Sequence, residues 1–231
     1  MTGSPIYAAA VAGGILIGAL GWWRLSKSDP RLPIIYFAGL IGAFLGAKLA
    51  FLGAEGWLHA GRPDRWTVWL SGKSVMGALP GGWAAVELAK RLTGYRPITG
   101  DRFALLLPIP LILGRIGCLD AGCCPGVAWN GGRWPAVPVE IGFQAAALAV
   151  LLVMHQRRLW TGQHFHLYLI AYGLFRFTHE FLRATPKPFA GLSGYQLLAL
   201  GTAVAALVAF RRRARNSSDS GGCESSDPPT G

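Results

Sequence analysis

Charged residues are scarce in this sequence, and acidic residues are the scarcest. Asp, Glu, Lys and Arg make up 14% of the chain, with 11 acidic residues against 22 basic ones. Soluble domains carry about 25% charged residues, so this composition argues against an ordinary soluble protein. Hydrophobic residues make up 52% of the chain. The sequence therefore predicts a protein whose solvent is a lipid bilayer.

Long apolar segments recur along the chain, and several approach the ~20 residues needed to cross the hydrocarbon core of a bilayer. The clearest are Ile6–Trp23, Pro33–Gly53, Phe103–Cys118, Pro138–His155 and Leu192–Phe210. Two further segments, interrupted by polar residues, are Val75–Leu92 and His164–Arg183. No basic segment precedes the first run, so we expect a first spanning helix there rather than a cleaved signal peptide. The predicted fold class is all-α, a polytopic integral membrane protein of about seven transmembrane helices.

Basic residues are unevenly distributed between the loops on the two sides of these helices. With the amino terminus outside, the cytoplasmic side holds Arg24, Lys27, Arg31, Lys90, Arg91, Arg96, Arg102, Arg157, Arg158, Arg211, Arg212, Arg213 and Arg215. The opposite side holds Arg62, Arg65, Lys73, Arg133 and Lys187. The positive-inside rule thus predicts an external amino terminus and a cytoplasmic carboxyl terminus. The same rule explains the net charge of +11 through contact with membrane lipid, and no nucleic-acid partner is expected.

The chain divides into one membrane domain and one polar tail. We predict a transmembrane helical domain over residues 1–213 and a disordered cytoplasmic tail over residues 214–231, which is rich in Gly, Ser and Pro. No internal repeat is present, which disfavours a transporter built from inverted repeats.

Several charged residues lie within the predicted helices. Arg115 is at the end of one apolar run, and Arg176, Glu180 and Arg183 lie inside another. A charge at membrane depth costs roughly 2.5–3.5 kcal/mol on insertion scales, so such residues usually face the bundle interior and serve a function. Tyr172 shares a helical face with the last three, and Arg176 and Glu180 can pair across one turn.

The predicted helices contain more cations than nearby acids. Arg115, Arg183 and Lys48 remain after Arg176 pairs with Glu180, and Glu87 and Glu140 are candidate partners. The guanidinium group can hold a phosphate through paired hydrogen bonds, so these residues indicate a site for an anionic lipid headgroup. Glycines around Pro80, including Gly77, predict a helix that is broken and lines a cavity. The alternative is a salt-bridge network that only holds helices together.

Three of the four cysteines crowd one short segment, GRIGCLDAGCCPG. A disulfide between Cys118 and either Cys123 or Cys124 is the leading expectation on the predicted external side. A zinc site is a weaker hypothesis, because it needs four ligands and only Asp120 lies nearby. A catalytic thiol is a third, although the sequence supplies no neighbouring base.

Six segments resemble the prolipoprotein diacylglyceryl transferase family, in that family's order. GRIG at Gly114–Gly117 resembles the opening of its Gly-Arg-Ile-Gly-Asn-Phe-Ile-Asn-Gly-Glu signature, and YGLFRFTHEFLR at Tyr172–Arg183 closely resembles its Tyr-Gly-x-x-Arg-Phe-x-x-Glu-Phe-x-Arg motif. The weaker resemblances are at Gly46–Lys48, Gly72–Gly81, Pro138–Phe143 and Gly191–Gln196.

The resemblance implies a multi-pass enzyme of the bacterial plasma (inner) membrane. Such an enzyme moves the diacylglyceryl group of phosphatidylglycerol to the lipobox cysteine thiol of a prolipoprotein signal-peptide substrate, and it needs no metal or cofactor. The implied catalytic residues are Arg115, Arg176 and Glu180, with Glu180 orienting Arg176. The implied substrate-binding residues are Lys48, Gly77, Arg115, Tyr172, Arg176 and Arg183.

The chain departs from the family pattern where the family has groups able to take up a proton. Met76 replaces the family's histidine, and Cys118 and Cys123 replace an asparagine and a glutamate of the signature. His179 is a conceivable substitute base, although helical geometry turns it about 100° from Glu180. The alternative function is therefore a non-catalytic phospholipid-binding membrane homologue that kept the phosphate site.

Overall fold

The computed structural model describes residues 5–27 and 29–221, and these residues are mostly helical. The helices are α1 (Pro5–Ser26), α2 (Arg31–Ala54), α3 (Arg65–Ser71), α4 (Val75–Thr93), α5 (Gly100–Leu106), α6 (Pro108–Asp120), α7 (Ala136–Gln156), α8 (His164–His179) and α9 (Gly194–Gly221). Single 3₁₀ turns lie at Gly56–His59 and Glu180–Leu182. A two-stranded antiparallel hairpin, β1 (Ala128–Trp129) and β2 (Gly132–Arg133), connects α6 to α7.

Four helical segments are long and apolar enough to cross a membrane by length and composition. They are Arg31–Ala54, Gly100–Asp120, Ala136–Gln156 and Gly194–Arg215. The second combines α5 and α6, which meet at Pro108, the first residue of α6. These segments confirm a helical protein of membrane type. Each of the seven predicted spans overlaps a helix, with Phe103–Cys118 divided between α5 and α6, while the count of seven crossings and the direction of the termini stay predictions.

Helices α2 and α4 approach each other through glycines. A Cβ atom at Gly46 would overlap the carbonyl oxygen of Gly77, and one at Gly81 would overlap the carbonyl oxygen of Gly42. Small residues allow helix backbones to come this close inside a bilayer. Helix α4 continues through Pro80 without interruption, so the predicted break at that proline is wrong.

The predicted last helices differ from the structure at their carboxyl ends. The charged helix ends at His179 and tightens into the 3₁₀ turn, so Glu180 and Arg183 follow the regular helix. Helix α9 runs past Ala214, where the predicted tail begins, to Gly221. The remainder of the predicted tail, with Cys223, lies outside the described residues.

The hairpin turn after α6 uses residues suited to it. Asn130 and Gly131 both have positive φ, 43° and 78°, which a tight type I′ turn between strands requires. The segment just before the hairpin pairs with the backbone that leaves α8, through Val127 N to Leu182 O at 3.0 Å and Ala184 N to Pro125 O at 3.1 Å. The cysteine loop is therefore held against Arg183.

Candidate functional site

Glu140 is the centre of a buried charged cluster at one end of the bundle. This residue is 1% exposed and lies in the second turn of α7. Its Oε1 accepts hydrogen bonds from Arg115 Nη2 and from the Tyr172 hydroxyl, both at 2.8 Å. Its Oε2 accepts one from Arg176 Nη1 at 3.2 Å and lies 3.9 Å from Arg183 Nη1. One carboxylate on α7 thus joins Arg115 of α6 to Arg176 of α8 and to Arg183, which follows the 3₁₀ turn.

Glu180 forms the second carboxylate of the cluster. Its Oε2 lies 2.8 Å from Arg176 Nη2 and 3.3 Å from Arg183 Nε. Its Oε1 accepts a hydrogen bond from the Thr185 hydroxyl at 2.6 Å. The predicted pairing of Arg176 with Glu180 across one turn is confirmed. Arg176 spans both carboxylates with different nitrogen atoms, which keeps its guanidinium plane in one orientation.

The arginine cluster, defined as Arg115, Arg176 and Arg183 with Glu140 and Glu180, retains hydrogen-bonding capacity. Arg183 is 7% exposed, and its Nε and Nη1 make no well-aligned hydrogen bond among the described residues, although they lie 3.3 and 3.9 Å from carboxylate oxygens of Glu180 and Glu140. A buried donor without an acceptor is costly, so such donors usually meet a ligand or water. Guanidinium N–H groups suit phosphate oxygens. The cluster is thus chemically equipped to hold a phosphate ester.

Two of the residues predicted to bind substrate lie elsewhere. The Lys48 ammonium group donates to the carbonyl oxygens of Trp69, Leu70 and Gly72, so it caps the end of α3 rather than joining the arginine cluster. Gly77 faces Gly46 in the contact between α2 and α4. Glu87, a suggested partner for the buried cations, pairs with Lys90 at 3.2 Å on its own helix. The packing of α2 and α4 turns these groups away from the cluster.

The two positions considered for a thiol-activating base, Met76 and His179, are both buried. Met76 is 1% exposed and packs in the apolar core near Leu79 and Tyr172. His179 is buried, stacks on Phe175, and accepts a hydrogen bond from the Trp134 indole to its Nε2 at 3.3 Å. That hydrogen bond engages the Nε2 lone pair, whereas Nδ1 is buried without a hydrogen-bond partner among the described residues.

The three clustered cysteines lie beside the arginine cluster as free thiols. Cys118 is buried, Cys123 and Cys124 are half-buried, and the predicted disulfide between Cys118 and either neighbour is absent. Arg115 Nη1 lies 3.7 Å from the Cys124 sulfur and 4.0 Å from the Cys118 sulfur. A hydrogen bond from the Cys118 thiol, together with the nearby Arg183 and Arg115, lowers the pKa of Cys124 to about 4.

Several polar residues of the site were not predicted from the sequence. Tyr168 lies one turn before Tyr172, and its hydroxyl donates a hydrogen bond to Gln144 Oε1 at 2.8 Å. This contact between α8 and α7 resembles the hydrogen bond from Tyr172 to Glu140. The i, i+4 spacing of the two tyrosines was a usable signal. Thr185 and Trp134 carried no such signal, because loop backbone positions them.

A largely apolar cavity of about 300 Å³ lies between α1, α2, α4, α5, α6 and α8, and the polar side chains in its lining include Glu87, Lys90, His166 and Arg213. Tyr36, Leu79, Leu107 and Leu111 are among the residues that line it. Leu111 lies one helical turn before Arg115, a rise of about 6 Å, so this edge of the cavity lies within about one turn of Arg115. A cavity of this composition and position suits hydrocarbon chains attached to a headgroup held by the arginines.

Known proteins resemble this chain over nearly its whole length. A family model described as prolipoprotein diacylglyceryl transferase matches residues 4–212. No solved structure matches the chain.

Three relatives illustrate the similarity, each named phosphatidylglycerol–prolipoprotein diacylglyceryl transferase. The protein from Rhodospirillum rubrum is 29% identical over 240 residues, covering 87% of this chain and 86% of the relative. That from Clostridium tetani is 27% identical over 228 residues, covering 88% and 91%. That from Leifsonia xyli is 30% identical over 226 residues, covering 80% and 67%.

Proposed function

The chain belongs to the prolipoprotein diacylglyceryl transferase family, and from this premise we propose that it transfers the diacylglyceryl group of phosphatidylglycerol to a cysteine thiol of a prolipoprotein. In this reaction the thiol sulfur forms a bond to the glycerol carbon of the lipid. The bond from that carbon to the phosphate oxygen breaks, and glycerol phosphate leaves with the electron pair. The acceptor is a lipobox cysteine next to the signal peptide of the substrate.

The convergence of guanidinium groups from two helices and the following turn is the observation that carries this proposal. Arg115 and Arg176 meet at Glu140, and Arg183 adds buried donors that make no well-aligned hydrogen bond among the described residues. Donors fixed in advance around a phosphate stabilise the charge that develops on the leaving group. We assign Arg115 and Arg176 to this task. Glu180 and Glu140 act as positioning residues that orient the guanidinium planes.

The surroundings of the cluster support a lipid substrate rather than a soluble phosphate. The apolar cavity lined by Leu107 and Leu111 offers space for acyl chains beside the headgroup position. The positive-inside pattern of the loops supports a seven-span, multi-pass protein of the bacterial inner membrane with its amino terminus outside. In that orientation the cluster and the cysteines lie near the outer leaflet, where translocated prolipoproteins emerge.

Purified full-length protein, mixed with labelled phosphatidylglycerol and a lipobox peptide, tests the proposal. We expect label on the peptide, and loss of that label when Arg176 is changed to Ala. An established family member, assayed alongside, shows that the assay conditions permit transfer. Absence of transfer by this chain while the family member is active would overturn the proposal.

The replacement of the family histidine by Met76 favours a second candidate function. A phospholipid-binding protein without catalysis would keep the arginine cluster and need no group that takes up a proton. It predicts that phosphatidylglycerol co-purifies with the protein, that Arg176→Ala releases it, and that no peptide is modified. Complementation of a strain depleted of its own transferase separates the two functions in the cell.

A further inference from the structure

The transfer reaction needs a thiolate, and the family's histidine, which could produce one, is replaced here by Met76. Met76 is apolar and buried, and the Nε2 atom of His179 already accepts a hydrogen bond from the Trp134 indole. The thiolate form is the nucleophile in thiol chemistry. A metal ion can replace a base, because a coordinated thiol is deprotonated outright.

The sulfur atoms of Cys118, Cys123 and Cys124 are arranged as a group of ligands. All three lie within 4.8 Å of one another, and no histidine or carboxylate of the described residues belongs to the group. Zinc bound tetrahedrally by thiolates at about 2.3 Å places the sulfur atoms ~3.8 Å apart. Shifts of about 1 Å, which side-chain rotation provides, close that difference. Cys118 belongs to the last turns of α6 and the other two to the following loop, so both backbone supports are already in place.

We propose that Cys118, Cys123 and Cys124 bind a thiophilic divalent metal ion, zinc, and that the thiol of the substrate cysteine occupies the fourth coordination position. This inference rests on the proposed transferase function. Three protein ligands and an open position are typical of catalytic zinc sites, whereas structural sites have four protein ligands. Three cysteines are too few for a structural zinc site. They suit a catalytic site, because the substrate can then occupy the fourth position.

The reaction balances with the metal as a site of thiol activation. The substrate thiol binds zinc and releases its proton to solvent. The zinc-bound sulfur then forms the bond to the lipid glycerol carbon, and the bond from that carbon to the phosphate oxygen breaks. Glycerol phosphate leaves with the electron pair, and the resulting thioether, a weak ligand, leaves the metal. No oxidant or reductant is involved.

The charges around the three sulfurs fit a metal–thiolate centre. Three thiolates and one dication carry a single net negative charge, and Arg115 lies within 4.0 Å of two of the sulfurs. The backbone of Arg183 pairs with that of Gly126, which brings Arg183 next to the loop that carries Cys123 and Cys124. The arginine cluster has three guanidinium groups against two carboxylates, so its excess of positive charge offsets the charge of the centre. The arginine cluster therefore holds the lipid phosphate close to the metal-bound thiolate, as the attack of sulfur on the glycerol carbon requires.

Metal binding by the full-length protein in detergent is the first test. We expect about one equivalent of bound zinc by elemental analysis, and thiolate-to-metal absorption bands when cobalt(II) replaces it. Changing Cys118, Cys123 or Cys124 to Ser should abolish both signals, while the matched control Cys223→Ser should keep them. Wild-type protein that binds neither ion with its thiols reduced would overturn the inference, whether or not the variants fold.

Transfer activity after metal removal is the second test, and it separates this inference from the proposed function. We expect chelation to lower the transfer rate by about a hundredfold, the lower end of what a positioned thiol-activating group contributes, and added zinc to restore it. Full transfer by metal-free protein would overturn the metal site and leave the transferase function standing. Stoichiometric metal binding without transfer in either state would instead overturn the transferase function and leave the metal site standing.

Discussion

At the scale of single residues, Glu140 determines how the arginine cluster is built. It is the acidic residue within the α7 segment, and it contacts Arg115, Arg176 and Tyr172 while nearly fully buried. Without this carboxylate, the guanidinium groups of Arg115 and Arg176 would lie close together in a medium of low dielectric constant. Leaving buried charges without their partner is strongly destabilising, which makes this carboxylate a sensitive point of the fold.

We predict that Glu140→Gln lowers the free energy of unfolding by about 3–5 kcal/mol, because two buried guanidinium groups lose their shared charge partner. Thermal unfolding of the variant in detergent measures this loss. Glu87→Gln is the matched control: the Glu87 side chain is 47% exposed in its pair with Lys90, and such pairs contribute about 0–1 kcal/mol. Equal unfolding temperatures for the two variants would contradict the prediction.

We predict that Arg176→Lys lowers the transfer rate about 10- to 100-fold although the charge is kept. Lysine cannot contact Glu140 and Glu180 in one plane, and a lost hydrogen bond to a charged group costs about 1.5–3 kcal/mol. Transfer from labelled phosphatidylglycerol gives the rate. Arg62→Lys, in an exposed pair with Asp64, serves as the control. A wild-type rate in Arg176→Lys would indicate a purely structural network.

Some site residues can be located from spacing within one helix, whereas others depend on how separate helices pack. Spacing within one helix was sufficient for Tyr172, Arg176 and Glu180, because helical geometry relates them directly. Lys48 and Gly77 lie outside the arginine cluster, since the rotation of α2 and α4 about their own axes depends on glycine contacts between helices. Glu140 was recognised as a possible partner, but its central position follows from how α6, α7 and α8 meet.

At the scale of secondary-structure elements, the contact between α2 and α4 depends on residues without side chains. Gly42, Gly46, Gly77 and Gly81 alternate across this contact, and each would place a Cβ atom into the opposite backbone. Gly53, farther along α2, has nothing within 4 Å of its Cβ position. The same helix therefore offers both a tight and an open glycine.

We predict that Gly46→Ala lowers the free energy of unfolding by about 1–3 kcal/mol, the range found when tightly packed sites are overfilled. Gly53→Ala should have little effect, because the added methyl group meets no neighbouring atoms. Thermal unfolding of both variants in the same detergent compares them. The interpretation of the contact fails if Gly46→Ala is as stable as the wild-type protein.

The elements predicted from the sequence are the long helices, and those missed are short. The hairpin at Ala128–Arg133 was not predicted, although Asn130-Gly131 is a strong turn signal between short strands. The continuous passage of α4 through Pro80 could not be read from composition, because neighbouring helices compensate for a proline inside a bundle. The length of an apolar segment can be read from that segment alone, whereas helix breaks and turns depend on contacts with neighbouring elements.

At the scale of the whole molecule, the charged cluster and the thiols lie at the same end of the bundle. Arg115 ends one predicted span, Glu140 begins the next, and Glu180 and Arg183 follow the end of α8. In the predicted topology all of these ends face outside. The excess of basic residues in the opposite loops is the sequence feature that sets this direction.

We predict that a protease site inserted after Asn130 is cleaved by protease added outside intact spheroplasts, while one inserted after Arg158 is protected. The first lies in the hairpin on the predicted external side, and the second in a basic loop on the predicted cytoplasmic side. Detergent lysis should expose both sites, which controls for accessibility. The reverse pattern would invert the proposed topology.

The backbone contacts of Pro125 and Val127 with Leu182 and Ala184 have a consequence for sequence change among relatives. An insertion or deletion between Cys124 and Val127 would shift the thiols relative to Arg183 by a whole residue. Variation in length should therefore concentrate at the hairpin tip around Asn130. The stretch that begins at Cys118 should keep a constant number of residues wherever its cysteines occur.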